Sequence, residues 1–285
     1  MILHRFLLVA ALVWSQVHAQ TQISPCSTSL VKVSPPENGA PAIVSAHRGG
    51  RYLPGYPENA LETVQYTLRH VPAIIEVDVN MTADSVLILM HDATLDRTTD
   101  GSGQVMEHSW QDIQALRLVD DFGTLTDYRV PRLENVLDWG FNKAFWTLDV
   151  KRKVPFDRVI DAVRSVGAIN SVALITYNYE DAVQAYLLDP RIRLSVVIRN
   201  EEELQRYIDG PIPTENLMAF TGLTERDPAF YQKLKSLGMT VMIGTIGNLD
   251  QKAEARGGRI YRDLLAKGID VIATDRPCAV FEAIR

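Results

Sequence analysis

The chain has 285 residues, 46% hydrophobic and 22% charged, with a formal net charge of -6. That composition is ordinary for a globular protein, and the length suits one α/β barrel of about 250 residues folding as a unit. The balance of 29 basic against 35 acidic residues gives no sign of a nucleic-acid binder, which carries clustered Lys and Arg. Local positive groups must therefore hold any anionic substrate.

The first twenty residues read as a secretory signal. His4-Arg5 is a weakly positive start, Phe6 to Trp14 an apolar stretch, and Val17-His18-Ala19 a small-residue cleavage site before Gln20. The apolar run falls short of the roughly 20 residues that span a bilayer, so stable membrane insertion is not expected. The alternative is an uncleaved anchor or a buried N-terminal helix. The expectation is an exported protein, periplasmic or secreted. It has a signal peptide over 1–19, a Ser/Pro-rich lead over 20–41 and a single domain over 42–285. The only cysteines are Cys26 and Cys278. A disulfide between them is sterically possible if the termini meet, and export permits it; two unrelated thiols is the other reading.

Strand-like runs lie near Ile43–Ala46, Ile74–Val79, Val86–Met90, Phe145–Val150, Val172–Thr176, Leu194–Ile198, Leu217–Phe220, Thr240–Ile243 and Asp270–Thr274. Helical periodicity separates most of them. Leu61, Val64 and Leu68 mark a first helix, with Asn59 as N-cap and Glu62 as capping-box partner. Phe156 to Val166 marks another, stopped by Gly167. Asp227-Pro228 opens a third that ends at Gly238. Repeated βα units of this kind predict an α/β fold with a parallel sheet, and eight or so of them a closed TIM (β/α)8-type barrel.

Two places break the alternation. Val79 to Val86 leaves no room for a crossover helix, so a hairpin is expected. A two-residue turn at Ala83-Asp84 would pair Asn80 with Leu87, Asp78 with Leu89 and Glu76 with His91; parallel strands joined by a bend are the rival. The second break, about 93–132, reads as an insertion over the active face with a helical piece around Trp110–Leu118. A helix resumes over Leu133–Trp139.

Titratable groups end several apolar runs: His47 after Ile43–Ala46, Glu76 and Asp78 after Ile74-Ile75, and His91 after Val86–Met90. Barrel enzymes mount catalytic groups at strand C-termini. Glu76 and Asp78 share one face of a strand, as do Asp149 and Lys151. Three inward carboxylates repel unless a cation lies between them, and oxygen ligands suit Mg²⁺ or Ca²⁺ better than zinc. A buried salt-bridge network with Arg48 and Lys151 is the structural alternative. His47 and His91 suit proton transfer near neutral pH, and Arg48 and Lys151 suit an anion clamp. Gly49-Gly50 would let backbone approach a ligand, or simply make a β-to-α turn. No P-loop, zinc-type spacing or nucleophile elbow is present.

In order, His47-Arg48-Gly49, Pro57-Glu58-Asn59, Glu76-Val77-Asp78, Thr82-x-Asp84, His91-Asp92 and Leu95-x-Arg97-Thr98-Thr99 resemble the glycerophosphodiester phosphodiesterases. So do Val130-Pro131-Arg132-Leu133-Glu134, Leu148-Asp149-Val150-Lys151 and Thr274-Asp275-Arg276-Pro277. The resemblance runs from about residue 43 to 280. It implies a TIM barrel with a small insertion over the site and one divalent cation on Glu76, Asp78 and Asp149. It further implies catalytic His47 and His91, with Arg48 and Lys151 on the phosphate. The implied reaction is hydrolysis of a glycerophosphodiester to sn-glycerol 3-phosphate and an alcohol. Asp149 departs from the family's usual Glu, Thr176-Tyr177 from its usual Ser-Phe, and a Trp near Thr245 is missing. A phospholipase-D-like or lysophospholipid phosphodiesterase is the enzymatic alternative; it would need an apolar groove, for which Trp110, Leu116, Leu118 and Phe122 are candidates. A non-catalytic phosphate-ester-binding barrel is the other.

Overall fold

The computed structural model describes residues 44–285. The expected signal peptide, the lead segment and Cys26 lie outside that range. Its strands are β1 (Val44–Ala46), β2 (Ala73–Met81), β3 (Leu87–Leu89), β4 (Arg117–Val119), β5 (Leu125–Arg129) and β6 (Trp146–Val150). They continue with β7 (Val172–Thr176), β8 (Arg193–Val197), β9 (Leu217–Phe220), β10 (Thr240–Gly244) and β11 (Val271–Thr274).

One sheet of nine strands runs β1-β11-β10-β9-β8-β7-β6-β2-β3 and closes by pairing β1 with β2. Every neighbour in the ring is parallel, and only β3 is antiparallel. Removing β3 leaves the eight-stranded barrel that the βα repeats predict. Helices such as Leu61–His70, Phe156–Ser165 and Pro228–Ser236 form the outer layer.

Period-two alternation sorts the side chains. Ile75, Val77 and Val79 of β2 join the core between sheet and helices, with Leu148, Leu194 and Ile243. Ile74 points the other way and packs with Ala173, Met218, Met242, Val271 and Ala273 in a second cluster inside the ring. That apolar plug fills the lumen below Glu76 and Asp78, so polar chemistry is confined to the carboxyl ends of the strands.

Helix punctuation follows the sequence in two places. Asp227 accepts from Ala229 N at 2.9 Å, with Pro228 in the first turn, and Gly238 lies beyond the other end at φ 82°. Gly167 likewise ends Phe156–Ser165 at φ 71°. The first helix differs: its N-cap is Ala60, with no side-chain cap. Asn59, in the left-handed region at φ 60°, spends its side chain on Asp78 instead.

The hairpin is antiparallel as expected, but its register is one residue off. Met81 pairs with Leu87, Asn80 with Ile88 and Val79 with Leu89. The turn holds three residues rather than two, because Ser85 adopts the left-handed region at φ 65° between Thr82 and Val86, which are joined by a 3.0 Å backbone bond. A one-residue slip exchanges faces. Leu87 and Leu89 thus enter the helix-side core, Ile88 and Met90 the insertion's own core, and His91 does not pair with Glu76.

In the insertion the helical piece shrinks to Trp110–Ile113, capped by a Ser109–Asp112 capping box. Residues that helical spacing assigned to its continuation form β4, paired with β5 and tied to Thr98 and Asp100 through Val119 N and Arg117 O. Strand partners distant in sequence override the local periodicity. Cys278 is disulfide-bonded.

Trp146 is fully buried beside the helix Leu133–Gly140. A Cβ built on Gly140 would lie 2.2 Å from the indole ring. Gly140→Ala is expected to cost about 1–3 kcal/mol through overpacking, read as a lowered urea midpoint at unchanged slope.

Candidate active site

The chain leaves β1 through a tight turn over His47–Gly49. Arg48 sits in the left-handed region at φ 54°, an uncommon state for a non-glycine residue and one that clusters at functional sites. Its backbone N donates to Glu76 Oε2 at 2.6 Å. The two glycines that follow serve the turn rather than a ligand: added Cβ atoms would lie 3.0 Å from Val64 Cγ2 and 2.8 Å from Thr67 Oγ1, on the helix packed beneath.

Glu76 and Asp78 end β2, and the register of β2 on β6 sets Asp78 beside Asp149. One ligand oxygen from each of Glu76, Asp78 and Asp149 lies within 4.8 Å of the others. All three residues are buried, at 7%, 1% and 7% exposure. Asn59 fixes Asp78 from both sides, donating from Nδ2 to Oδ2 at 2.7 Å and accepting from Asp78 N at 2.9 Å. Lys151 Nζ spans Asp78 and Asp149 at 2.6 Å each, and Arg48 Nε lies 3.5 Å from Asp78. Contacts of the kind the structural alternative describes, from Arg48 and Lys151 to these carboxylates, are thus formed.

Burial and the adjacent Asp78 charge push Glu76 up to about 8. Burial acts on Asp78 too, but Lys151, Arg48 and Asn59 outweigh it and hold that carboxyl below its usual range. Asp149 Oδ1 is buried with no hydrogen-bond partner. An orphaned carboxylate oxygen is rare in a folded interior, and beside two more acids it fits an all-oxygen site for a hard divalent cation.

His47 Nδ1 lies 2.7 Å from Asp275 Oδ1, and its Nε2 lies 4.0 Å from Glu76 Oε2. Burial lowers the imidazole pKa, yet the Asp275 hydrogen bond and the Glu76 and Asp275 charges carry it above its ordinary value. His91 stands beyond β3, with Nδ1 2.7 Å from Asp92 Oδ1 and a side chain 36% exposed. Arg97 grips Asp92 at 2.7 Å and Glu58 at 2.8 Å. Glu58, only 3% exposed, also pairs with Arg48 at 2.8 Å and Arg51 at 3.3 Å. A chain of charges thus links the two candidate histidine turns.

Sequence marks Glu58, Asn59, Arg97 and Asp275 as members of the resembling motifs but assigns none of them a role in the site. Asp275 carries a readable signal in sequence, a charged residue ending the apolar run Val271–Thr274. For Glu58 and Asn59, loop position gave no comparable cue.

A cavity of about 700 Å³ opens beside Asp149 and Lys151, lined also by Arg152, Lys153, Tyr177 and Asp181. Tyr177 is 66% exposed. The apolar groove that a lysophospholipid reading requires is absent among its four candidate residues: Leu118 is buried at 2%, and Trp110 and Leu116 pack on the insertion core. Only Phe122 is open, at 52% exposure. No helix among the described residues is long and apolar enough to cross a membrane.

A barrel that gathers buried carboxylates and an aligned imidazole at its strand ends is built as an enzyme. The model of the glycerophosphoryl diester phosphodiesterase family matches residues 47–211, and the chain belongs to that family, whose members hydrolyse glycerophosphodiesters. A glycerophosphoryl diester phosphodiesterase from Parabacteroides distasonis superposes at TM-score 0.80 with 35% identity, covering 87% of each chain. Glycerophosphodiester phosphodiesterase 1 of Bos taurus is 37% identical over 102 residues, 34% of this chain and 30% of its own length. An Oleispira antarctica phosphodiesterase in complex with the product sn-glycerol-3-phosphate shares the fold at TM-score 0.67 and 20% identity, over 85% of this chain and 96% of its own.

Proposed function

We propose that this enzyme hydrolyses glycerophosphodiesters to sn-glycerol 3-phosphate and a free alcohol, using Glu76, Asp78 and Asp149 to hold one divalent cation, Mg²⁺ or Ca²⁺. The observation that carries this reading is the buried carboxylate cluster with its orphaned Asp149 oxygen beside His47. The product complex of the Oleispira antarctica relative supports the choice of product. A cation there would offset negative charge growing on the phosphoryl oxygens.

The remaining work falls to side chains. His47, its Nδ1 engaged by Asp275, has Nε2 left to move a proton. His91, oriented by Asp92, supplies the second proton transfer. One imidazole takes the proton of the substrate's glycerol 2-hydroxyl as that oxygen bonds to phosphorus; the other protonates the departing alcohol as its P–O bond breaks. Water then opens the cyclic phosphate with the roles reversed. Arg48 Nε, buried with no hydrogen-bond partner, and Lys151 supply donors to the phosphate that strengthen as charge develops.

Export belongs to the same proposal, supported by the disulfide at Cys278, since such bonds persist in oxidising compartments. The test is product analysis on glycerophosphocholine, glycerophosphoethanolamine, glycerophosphoinositol and lysophospholipids. Release of sn-glycerol 3-phosphate from the deacylated diesters is expected; turnover of lysophospholipids alone would replace this reading with the lipid-directed one.

A further inference from the structure

Lys151, Arg152 and Lys153 leave β6 in succession, and a turn closed by Val154 N on Lys151 O at 2.8 Å presents the middle pair. Val154 itself is buried at 6% exposure, which anchors the turn. Arg152 and Lys153 are exposed, and both line the 700 Å³ cavity that opens from Asp149 and Lys151. Lys151 is neutralised by Asp78 and Asp149. Among the described residues, neither Arg152 nor Lys153 meets a carboxylate at ion-pair distance. The other acid on the lining, Asp181, keeps its charge, held by the neutral Asn178 amide at 2.8 Å, and offsets only one of these two cations.

Two adjacent cations against this single acid give this wall of the cavity a positive potential that draws anions. Glycerol is uncharged, and the phosphoryl group belongs at the acidic centre. The substrate charge that can vary is therefore on the other alcohol. We propose that this cavity selects glycerophosphodiesters whose alcohol carries its own anionic group, a second phosphate or a carboxylate, through Arg152 and Lys153. The inference rests on the glycerophosphodiesterase reading above. The opposite preference, for a quaternary ammonium alcohol, asks for several aromatic faces. The lining offers one open ring, Tyr177; Phe156 packs against the outer core.

The test compares kcat/KM for glycerophosphoinositol and glycerophosphoinositol 4-phosphate, which differ by one phosphate, with glycerophosphocholine as a cationic control. The unaltered enzyme is expected to favour the phosphorylated arm roughly tenfold, as two exposed ion pairs allow. In an Arg152→Glu/Lys153→Glu double variant, that ratio should fall to about one or below. The preference of the unaltered enzyme should also shrink as salt rises from about 0.05 to 0.5 M, a measurement that needs no variant. Equal kcat/KM for the pair, or a preference that survives charge reversal, overturns the proposal alone. Absence of turnover on every diester overturns the parent reading, and this one with it.

Discussion

Alanine at His47 is expected to lower kcat by about 10²–10⁴, the contribution of a well-placed general acid or base. A carboxylate 2.7 Å from Nδ1 sets the ring's orientation and assigns the proton on that nitrogen, and Nε2 looks into the acid cluster at 4.0 Å from Glu76. Alanine at His91 should fall in the same range, because Asp92 aligns that ring in the same way. Asp275→Asn, which keeps a hydrogen-bonding group and removes the charge, should lose less than His47→Ala. Single-turnover rates on glycerophosphoinositol, with circular dichroism to confirm folding, provide the measurement. Either alanine variant turning over within a few-fold of the unaltered enzyme would exclude two-histidine catalysis.

Chelation should abolish turnover, and Mg²⁺ or Ca²⁺ should restore it. The pH dependence of that rescue has a defined sign. Glu76 lies near 8 without a cation, against an ordinary value of 4.5, so between those limits the folded chain binds a proton that the unfolded chain releases. Stability without cation therefore falls as pH rises through that window. A cation requires the ionised carboxylate and displaces the proton. Its apparent affinity should rise about tenfold per pH unit up to about pH 8, and the increase in melting temperature at a fixed cation concentration should grow in step. Calorimetric titrations from about pH 5 to 8 measure both. A flat affinity profile would remove Glu76 from the ligand set, and full activity in excess chelator would remove the cation.

Much of the barrel was readable because its strands are buried on both faces and appear as short apolar runs. Val172–Thr176 and Leu217–Phe220 were found to the residue, since turn residues or helix starts bound them on both sides. Glu76, Asp78, Asp149 and Lys151 were readable as a group because alternation fixes which residues along a strand share a face. Their partners were not. Asn59 had an equally good local explanation as a helix cap, and only its approach to Asp78 from across the turn decides against it. The left-handed Ser85 leaves no mark in hydrophobic pattern, yet it shifts the hairpin by a residue and moves His91 away from Glu76. Leu118 lies in a helix-like spacing and becomes strand because Thr98, Thr99 and the β5 segment supply partners that periodicity cannot see.

The contact between His47 and Asp275 spans 228 positions of sequence, from the residue after the ring's opening strand to the residue after its closing one. A polypeptide still emerging from the ribosome has its imidazole long before it has the acid that aims it. A fragment lacking the final βα unit is therefore expected to hold His47 without the carboxylate that orients its ring.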